Sequence, residues 1–429
     1  MPRRPPTRAD SPSVLREMNR ALILDVIRTR GPLTRPQIAQ ATGLSKPTVN
    51  DVVEALVAAD YVSEDEPVVP GEGEPRRPGP RARTLKFRAD VGHVLGIDIG
   101  EQKVVALVAD LSGAVLATER RRLRHDPAGH RALLAQLEAV ADAALAGAGV
   151  ARGTLRAIGV GTPGVVDPDT GRVTLAPQLP GWEGLELGTE LRRRFDCPVR
   201  VDNETHMSLL AELWHGAARD VRTALYVQVG IGIGGALLID GELHRGFAGA
   251  AGEIGYLLGE EDREPPRFGA GPFEWAAGGR AYARLGRAVA DRDDSGLLRE
   301  LAGGDPRNVT ARTVFDAAAR GDDDAAGIIE TLAARLGRGI ANAAILLNPE
   351  VVILGGGVAG GGDALRDPVE RELRRHTPVA PRLLLSELGE DSVVLGAVRV
   401  AVDMADELIF SFARSRATPA LPEPNERPA

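Results

Sequence analysis

Lys46, Thr48, Asn50 and Asp51 occupy one side of a short stretch whose other side is Val49, Val52, Val53, Leu56 and Val57. The apolar set falls at i, i+3, i+4, i+7 and i+8, the spacing of one buried helical face, so the polar set points outward near a helix N-terminus. Lysine and asparagine there can reach guanine and adenine edges, and a serine or threonine hydroxyl can hold a phosphate. The chemistry on offer is recognition of double-stranded DNA. The alternative is a small helical bundle used for protein contact.

Three helices must hold that face in place. Ser45 caps the third, and Pro47 is tolerated because first-turn amides need no partner within the helix. Gly43 supplies the tight turn before it. Thr34 caps a short second helix over Arg35–Ala41, with Ile38 and Ala39 turned inward. Thr34 and Arg35 join Ser45, Lys46, Thr48 and Asn50 as candidate DNA contacts. Leu15, Met18, Leu22, Val26 and Ile27 predict a first helix over Val14–Thr29, ended by Gly31-Pro32. The arrangement is a helix-turn-helix, with the second-to-third helix turn presenting the reading helix.

Downstream, Val62, Val68-Val69, Leu85 and Phe87 predict the strands of a wing. Between them Arg76, Arg77, Arg81 and Arg83 stand among Pro and Gly, so they stay extended. Two readings fit them: an arm for the DNA minor groove, in which Arg76 and Arg77 touch DNA, or a charged linker. The net charge of −8 argues against nucleic acid until it is divided along the chain. Residues 1–50 hold 9 basic side chains and 3 acidic ones, whereas residues 91–429 hold 37 basic and 48 acidic. A basic head on an acidic body suits a DNA-binding module joined to a separate sensor or enzyme.

From Val94 the pattern changes. VLGIDIG, VVALVAD and AVLATE are short apolar runs separated by turns, the start of a strand meander. AIGVGTPGVVD, CPVRVDNE, ALYVQVGIGIGGALLIDGEL and VVILGGGVAGG follow, interleaved with helical stretches such as His130–Ala148 and Ala325–Leu347. Mixed strands with two glycine-rich turns indicate an α/β body of two lobes around a cleft. Cys197 is the only cysteine, so an intramolecular disulfide is excluded and a reducing, cytoplasmic location is expected. No apolar run reaches the ~18 residues of a membrane span.

GLSKPTVN, GIDIG, GTPGVVDP, LAPQLPGW, VDNETHMSLLAE, GIGIGGALLIDGELHRGFAGAAGEIGY and NPEVVILGGG, in that order, resemble the ROK family (repressors, open reading frames and kinases) over roughly residues 12–405. The head resembles that family's regulator branch and MarR-type helix-turn-helix modules. The resemblance implies an α/β fold: an N-terminal winged helix-turn-helix over 13–88, and a two-lobed actin/hexokinase-like (ribonuclease-H-like) ROK domain over 92–410. Residues 1–12 and 411–429 are expected to be disordered, the latter because the tail is Pro-rich and polar.

The same resemblance implies where an active kinase would keep its chemistry. Its first phosphate motif falls on Asp98-Ile99-Gly100, followed here by Glu101, whose bulk and charge oppose a triphosphate. Its second falls on Gly230, Gly232 and Gly234, with Ile231 in place of a hydroxyl, and a third glycine pair is Gly355-Gly356. The turns alone could require these glycines, in which case the loops are vestigial. The general base falls on Glu204, one methylene longer than the family's aspartate; a shift of about 1 Å can cost ~100-fold in rate. The zinc-binding histidine becomes Tyr256, and EEDREPPRFGAGPFEW has no Cys or His, so neither a metal nor a cofactor is expected. His206 and His215 are read as structural.

Family sugar contacts fall on Gln178, Asn203, Glu204, Glu253, Tyr256 and Glu274, and Trp182 or Tyr256 is placed to pack on a sugar ring. The ligand is then a sugar or sugar phosphate, another small metabolite, or none. The expectation is a repressor that binds a palindromic DNA operator as a homodimer or homotetramer, away from membranes, and whose body senses without catalysing. An active ATP-dependent sugar kinase and a ligand-independent dimerisation platform are the rivals.

Overall fold

The computed structural model describes residues 12–65, 83–124, 130–176, 179, 181–258 and 270–417; for residues 12–15, 17 and 410–417 it describes the backbone alone. The head begins with α1 (Pro12–Arg30), β1 (Leu33–Thr34) and α2 (Arg35–Thr42). Gly43 then takes φ 71°, a left-handed turn that favours glycine, and leads into α3 (Lys46–Ala58). Strands β2 (Val62–Asp65) and β3 (Thr84–Phe87) pair antiparallel, and β1 adds to β3 through Leu33 opposite Leu85. The result is a three-stranded wing packed beside three helices. Val68 and Val69, expected in a wing strand, lie outside the described residues.

The buried side of α1 differs from expectation. Ile23, Leu24, Val26 and Ile27 are buried, while Met18 is 61% and Leu22 41% exposed. Apolar residues run around more than half of this helix, so its own periodicity does not choose a face. Packing chooses it. Ile23, Leu24 and Ile27 join Ile38, Val49, Val53, Leu56 and Leu85 in one cluster.

The body's first lobe holds β4 (His93–Ile99), β5 (Lys103–Asp110), β6 (Val115–Arg122), α4 (His130–Ala148), β7 (Leu155–Thr162), β8 (Val165–Val166), β9 (Val173–Leu175), α5 (Leu187–Phe195) and β10 (Val199–Asn203). The sheet order is β10-β7-β4-β5-β6, with β4, β5 and β6 antiparallel and β7 and β10 parallel to β4. Helices α4 and α5 cover one face through Leu134, Leu137, Leu187 and Leu191. Helix α6 (Glu204–His215) follows β10 directly and touches both lobes. Its Met207 meets Val393 and Ala397, and its Leu209 meets Tyr226 and Ile353.

The second lobe comprises β11 (Ala224–Val229), β12 (Ile233–Ile239), β13 (Glu242–His244), α7 (Pro272–Ala277), α8 (Gly279–Ala290), α9 (Leu297–Leu301), α10 (Ala311–Ala319), α11 (Asp323–Leu347), β14 (Val351–Gly355), α12 (Asp363–His376) and β15 (Arg382–Leu385). Its sheet, β13-β12-β11-β14-β15, repeats the first: an antiparallel meander with two parallel strands added beside its first strand. Both lobes are thus built to one plan, the two-lobed α/β architecture expected.

The last helix, α13 (Ser392–Ala417), returns to the first lobe and lies across its sheet. A Cβ at Gly159 would sit 1.9 Å from the Ala397 carbonyl oxygen, so a bare backbone is what lets the helix approach. α13 runs past residue 410, where a disordered tail was expected, because no helix breaker stands before Pro419. It also reaches the head. Val394, Val398, Ala401, Val402, Ala405 and Ile409 belong to the same buried cluster as Ile23, Val49 and Leu56. Head and body share a core and are not beads on a linker.

Candidate functional site

The reading helix is capped as its sequence requires. The Thr48 amide donates to Ser45 Oγ at 3.3 Å, and the two hydroxyls share a 2.8 Å hydrogen bond. Pro47 sits in the first turn, where no intrahelical donor is lost. Val49, Val52, Val53 and Leu56 are buried, so Lys46, Asn50 and Asp51 are left exposed and Thr48 half-buried. Lys46 and Asn50 stand one turn apart beside a helix N-terminus whose free amides favour anions.

Two other expected DNA contacts are already engaged. Thr34 caps α2, and its amide and hydroxyl both donate to Gln37 Oε1 at 2.8 Å. The Arg35 guanidinium is ion-paired with Glu64 on β2, and Arg83 donates to the same carboxylate at 3.3 Å. Burial pulls the Glu64 carboxyl upward, but the two arginines outweigh it and hold it below the usual range. Arg35, expected as a DNA contact, therefore also fastens the wing to α2. Arg76, Arg77 and Arg81 lie outside the described residues.

Between the lobes lies a cavity of about 200 Å³ whose wall includes Glu101, Glu204, Gln228, Glu253, Glu274 and Arg280. α6 positions Glu204 as its first residue, the turn after β11 supplies Gly230, Ile231 and Gly232, and the start of β12 supplies Gly234. That turn is fixed to the next helix, since the amides of Gly279 and Arg280 donate to the carbonyls of Gly230 and Ile231 at 3.0 and 3.2 Å. Glu253 and Tyr256 line the cavity together, and Tyr256 is exposed.

Carboxyl groups crowd this space. The Glu204 carboxyl is pushed up to about 8, mainly by burial, with the charges of Asp98, Glu253 and Glu101 adding and a hydrogen bond with Gln228 opposing. Burial likewise raises Asp98 to about 7 and lifts Glu253 and Glu274. Glu274 is 8% exposed, and its Oε1 is buried with no hydrogen-bond partner. A buried acceptor left unpaired costs about 1–3 kcal/mol, so this atom is a standing demand for a donor from the cavity.

Several expected ligand contacts are placed elsewhere. Asn203 is buried as the cap of α6: its Oδ1 accepts from the Thr205 amide and hydroxyl at 2.7 and 2.6 Å, and its Nδ2 donates to the Gly164 carbonyl at 2.7 Å. The amide therefore ties the start of α6 to the Gly164 loop, and Asn203 is not part of the cavity wall. Trp182 is fully buried in the first lobe's core and cannot stack on a ring in the cavity. Gln178 lies outside the described residues. Asp98, Gly100, Gly355 and Gly356 are not part of the cavity wall. His206 bonds Asp202 through Nδ1 at 2.6 Å, with Arg245 on the other carboxylate oxygen at 2.7 Å, and His215 stacks on Trp214.

The glycines divide by what surrounds them. A Cβ at Gly232 would lie 2.6 Å from the Glu274 carboxyl carbon, one at Gly234 2.7 Å from Thr205, and one at Gly355 2.0 Å from the Tyr226 hydroxyl. Gly356 takes φ 82°. Close neighbours account for the first three, and the left-handed backbone for Gly356. Gly230 has open space on its Cβ side, and Gly100 has ordinary contact with Lys103, so packing does not account for either.

The sequence reading missed Gln228 and Arg280. Gln228 was visible as one polar residue in the apolar run ALYVQV. Arg280 had no comparable signal, since its approach to Glu101 joins segments far apart in the chain. Among the described residues no group of His, Cys, Asp and Glu is arranged to hold a metal ion, and residues 259–269, where the family's other zinc ligands would fall, lie outside them. No described helix is long and apolar enough to cross a membrane.

Comparison with known proteins agrees with this division of the chain. The ROK family model matches residues 94–404, and the MarR family model matches residues 17–68. A xylose repressor of Caldicellulosiruptor bescii is 27% identical over 403 residues, covering 93% of this chain and 98% of that protein. A ROK family glucokinase from Streptomyces griseus, solved with glucose and AMPPNP, has a TM-score of 0.65 at 28% identity over 73% of this chain and all of that one. A ROK family transcriptional regulator, a homologue of the E. coli MLC protein, has a TM-score of 0.78 over 94% of this chain and 99% of that one. At 22% identity that last likeness speaks for the fold.

Proposed function

The chain belongs to the ROK family, and we propose that its body senses a small polyhydroxylated ligand without phosphorylating it. With its helix-turn-helix head the protein is a DNA-binding regulator of that family. We read it as a cytoplasmic repressor acting on a palindromic operator as a homodimer or homotetramer, since a lone half-site reader binds poorly. The observation that carries this reading is the core common to head and body, in which α13 packs against α1 and α3 while its first turn meets α6, the helix that begins at Glu204. A ligand that prefers one arrangement of the lobes would bias the head through that helix.

Recovery of bound DNA from cells, followed by titration of the recovered operator, tests it. The triple substitution of Lys46, Thr48 and Asn50 by alanine should abolish sequence-selective binding. Retention of selective binding by that variant would overturn the reading. One observation favours a second reading, an ATP-dependent sugar kinase: the open space beside Gly230, where a phosphate could approach. A coupled ADP-release assay over hexoses and amino sugars separates the two, because turnover that Glu204→Ala abolishes belongs only to a kinase.

A further inference from the structure

Glu101 follows β4 in the first lobe, and Arg280 stands in the first turn of α8 in the second. Across the cleft the Arg280 Nη2 donates to Glu101 Oε1 at 3.2 Å and lies 3.4 Å from Oε2. Arg280 is the one basic side chain among the described residues lining the cavity, and the same wall carries Glu101, Glu204, Glu253 and Glu274. Among the described lining residues the one cation is therefore already matched to a carboxylate before any ligand enters.

This arrangement decides which ligands the cleft can hold. The open side of Gly230 leaves room for an anion to approach, but the arginine that would balance a phosphate is committed to Glu101. A phosphate monoester carries about two negative charges near neutral pH and offers acceptor oxygens. It would meet three further carboxyl groups, and it could not satisfy Glu274 Oε1, which is itself an acceptor without a partner. Hydroxyl groups suit the same wall, because they donate to carboxylate oxygens such as Glu274 Oε1 and accept from the Glu204 carboxyl, which burial pushes up to about 8.

We propose that the Glu101–Arg280 pair is a specificity filter that bars phosphate groups from this cleft and restricts it to unphosphorylated ligands. The proposal rests on the reading of the cleft as a ligand pocket, and it makes Glu101 the residue that sets the charge class of that ligand. Removing the carboxylate frees Arg280 for phosphate, so the filter should be reversible by one substitution.

Calorimetric titration of the full-length chain with inorganic pyrophosphate and with MgADP tests it. Wild type should give no saturable binding. Glu101→Gln, which keeps the side chain's length, and Glu101→Gly should bind either probe saturably, about tenfold or more tighter than the weakest binding the titration detects, the gain expected from one charge-assisted hydrogen bond. Adding Arg280→Ala to either variant should cancel the gain. Saturable binding by wild type, or no gain in folded Glu101 variants, overturns the proposal. A panel of neutral sugars run beside it addresses the reading beneath: phosphate gain with no sugar bound by any variant would sink the sugar-sensing reading and leave the filter standing.

Discussion

Arg28 on α1 grips Asp406 on α13 with both terminal nitrogens, Nη1 to Oδ2 at 2.9 Å and Nη2 to Oδ1 at 2.5 Å. Its guanidinium also lies 4.8 Å from the centre of the Phe87 ring on β3. Burial raises the Asp406 carboxyl, and Arg28 pulls it back toward ionisation. At the other end of α13, Ser392 shares a 3.1 Å hydrogen bond with Ser208, one turn along α6 from Glu204. One helix therefore ends at the DNA-binding head and begins beside the cleft.

Truncating Arg28 should leave Asp406 partly buried and unpartnered. Arg28→Ala is expected to lower unfolding stability by about 1–3 kcal/mol in chemical denaturation, and Arg28→Lys by less, since lysine keeps the charge but not the two-pronged geometry. A wild-type midpoint for Arg28→Ala would show that the pair does not hold head to body.

The raised Glu204 carboxyl carries a pH dependence of definite sign. Between its ordinary value of 4.5 and about 8 the folded chain holds this proton while the unfolded chain has released it. Where the native state binds more protons, stability falls as pH rises. Glu204→Gln removes the titration, so its stability relative to wild type should increase from about pH 5 to about pH 8. Urea midpoints of both proteins at the two pH values measure the difference. A relative stability that stays constant between them would mean that Glu204 titrates normally.

Lys46 and Asn50 should fail in different ways. Asn50 is placed for a base edge, so Asn50→Ala should cost about 1–3 kcal/mol on the operator and relax preference at one position. Lys46→Ala, losing a guanine-edge contact together with a positive charge, should weaken the operator and also reduce the slope of log affinity against log salt by about 1, which Asn50→Ala should leave unchanged. Fluorescence anisotropy over a salt series reads both. Equal losses on operator and random DNA for Asn50→Ala would remove it from base reading.

Where local signals were strong, the sequence was legible. Gly43, Ser45 and a five-residue apolar stripe specify the reading helix within one window, and the structure caps and buries it accordingly. Where contacts between distant segments decide, it was not. The buried face of α1 is chosen by β3 and α13, and Arg35 is claimed by Glu64 on the wing. Asn203 is a different case. An asparagine directly before a helix is a capping signal, and its role in related proteins displaced that local reading. Trp182, expected to pack on a sugar ring, instead fills the first lobe's core, a burial decided by contacts with distant segments.

The seam between α6 and α13 offers a last test, because it depends on one missing side chain. A Cβ at Gly396 would lie 1.7 Å from the Met207 carbonyl oxygen, far inside contact distance and against backbone that cannot swing aside. Gly396→Ala must therefore separate the two helices that link cleft and head, at a cost of about 1–3 kcal/mol or more. Gly327 in α11 is the matched control, exposed in the helix's second turn with nothing within 4 Å of its Cβ position. There alanine should stabilise by about 0.4–1 kcal/mol through better helix propensity. Thermal denaturation of the two variants should move in opposite directions from wild type. If Gly396→Ala is as stable as Gly327→Ala, the helices are not in the close contact that joins the ligand cleft to the DNA-binding head.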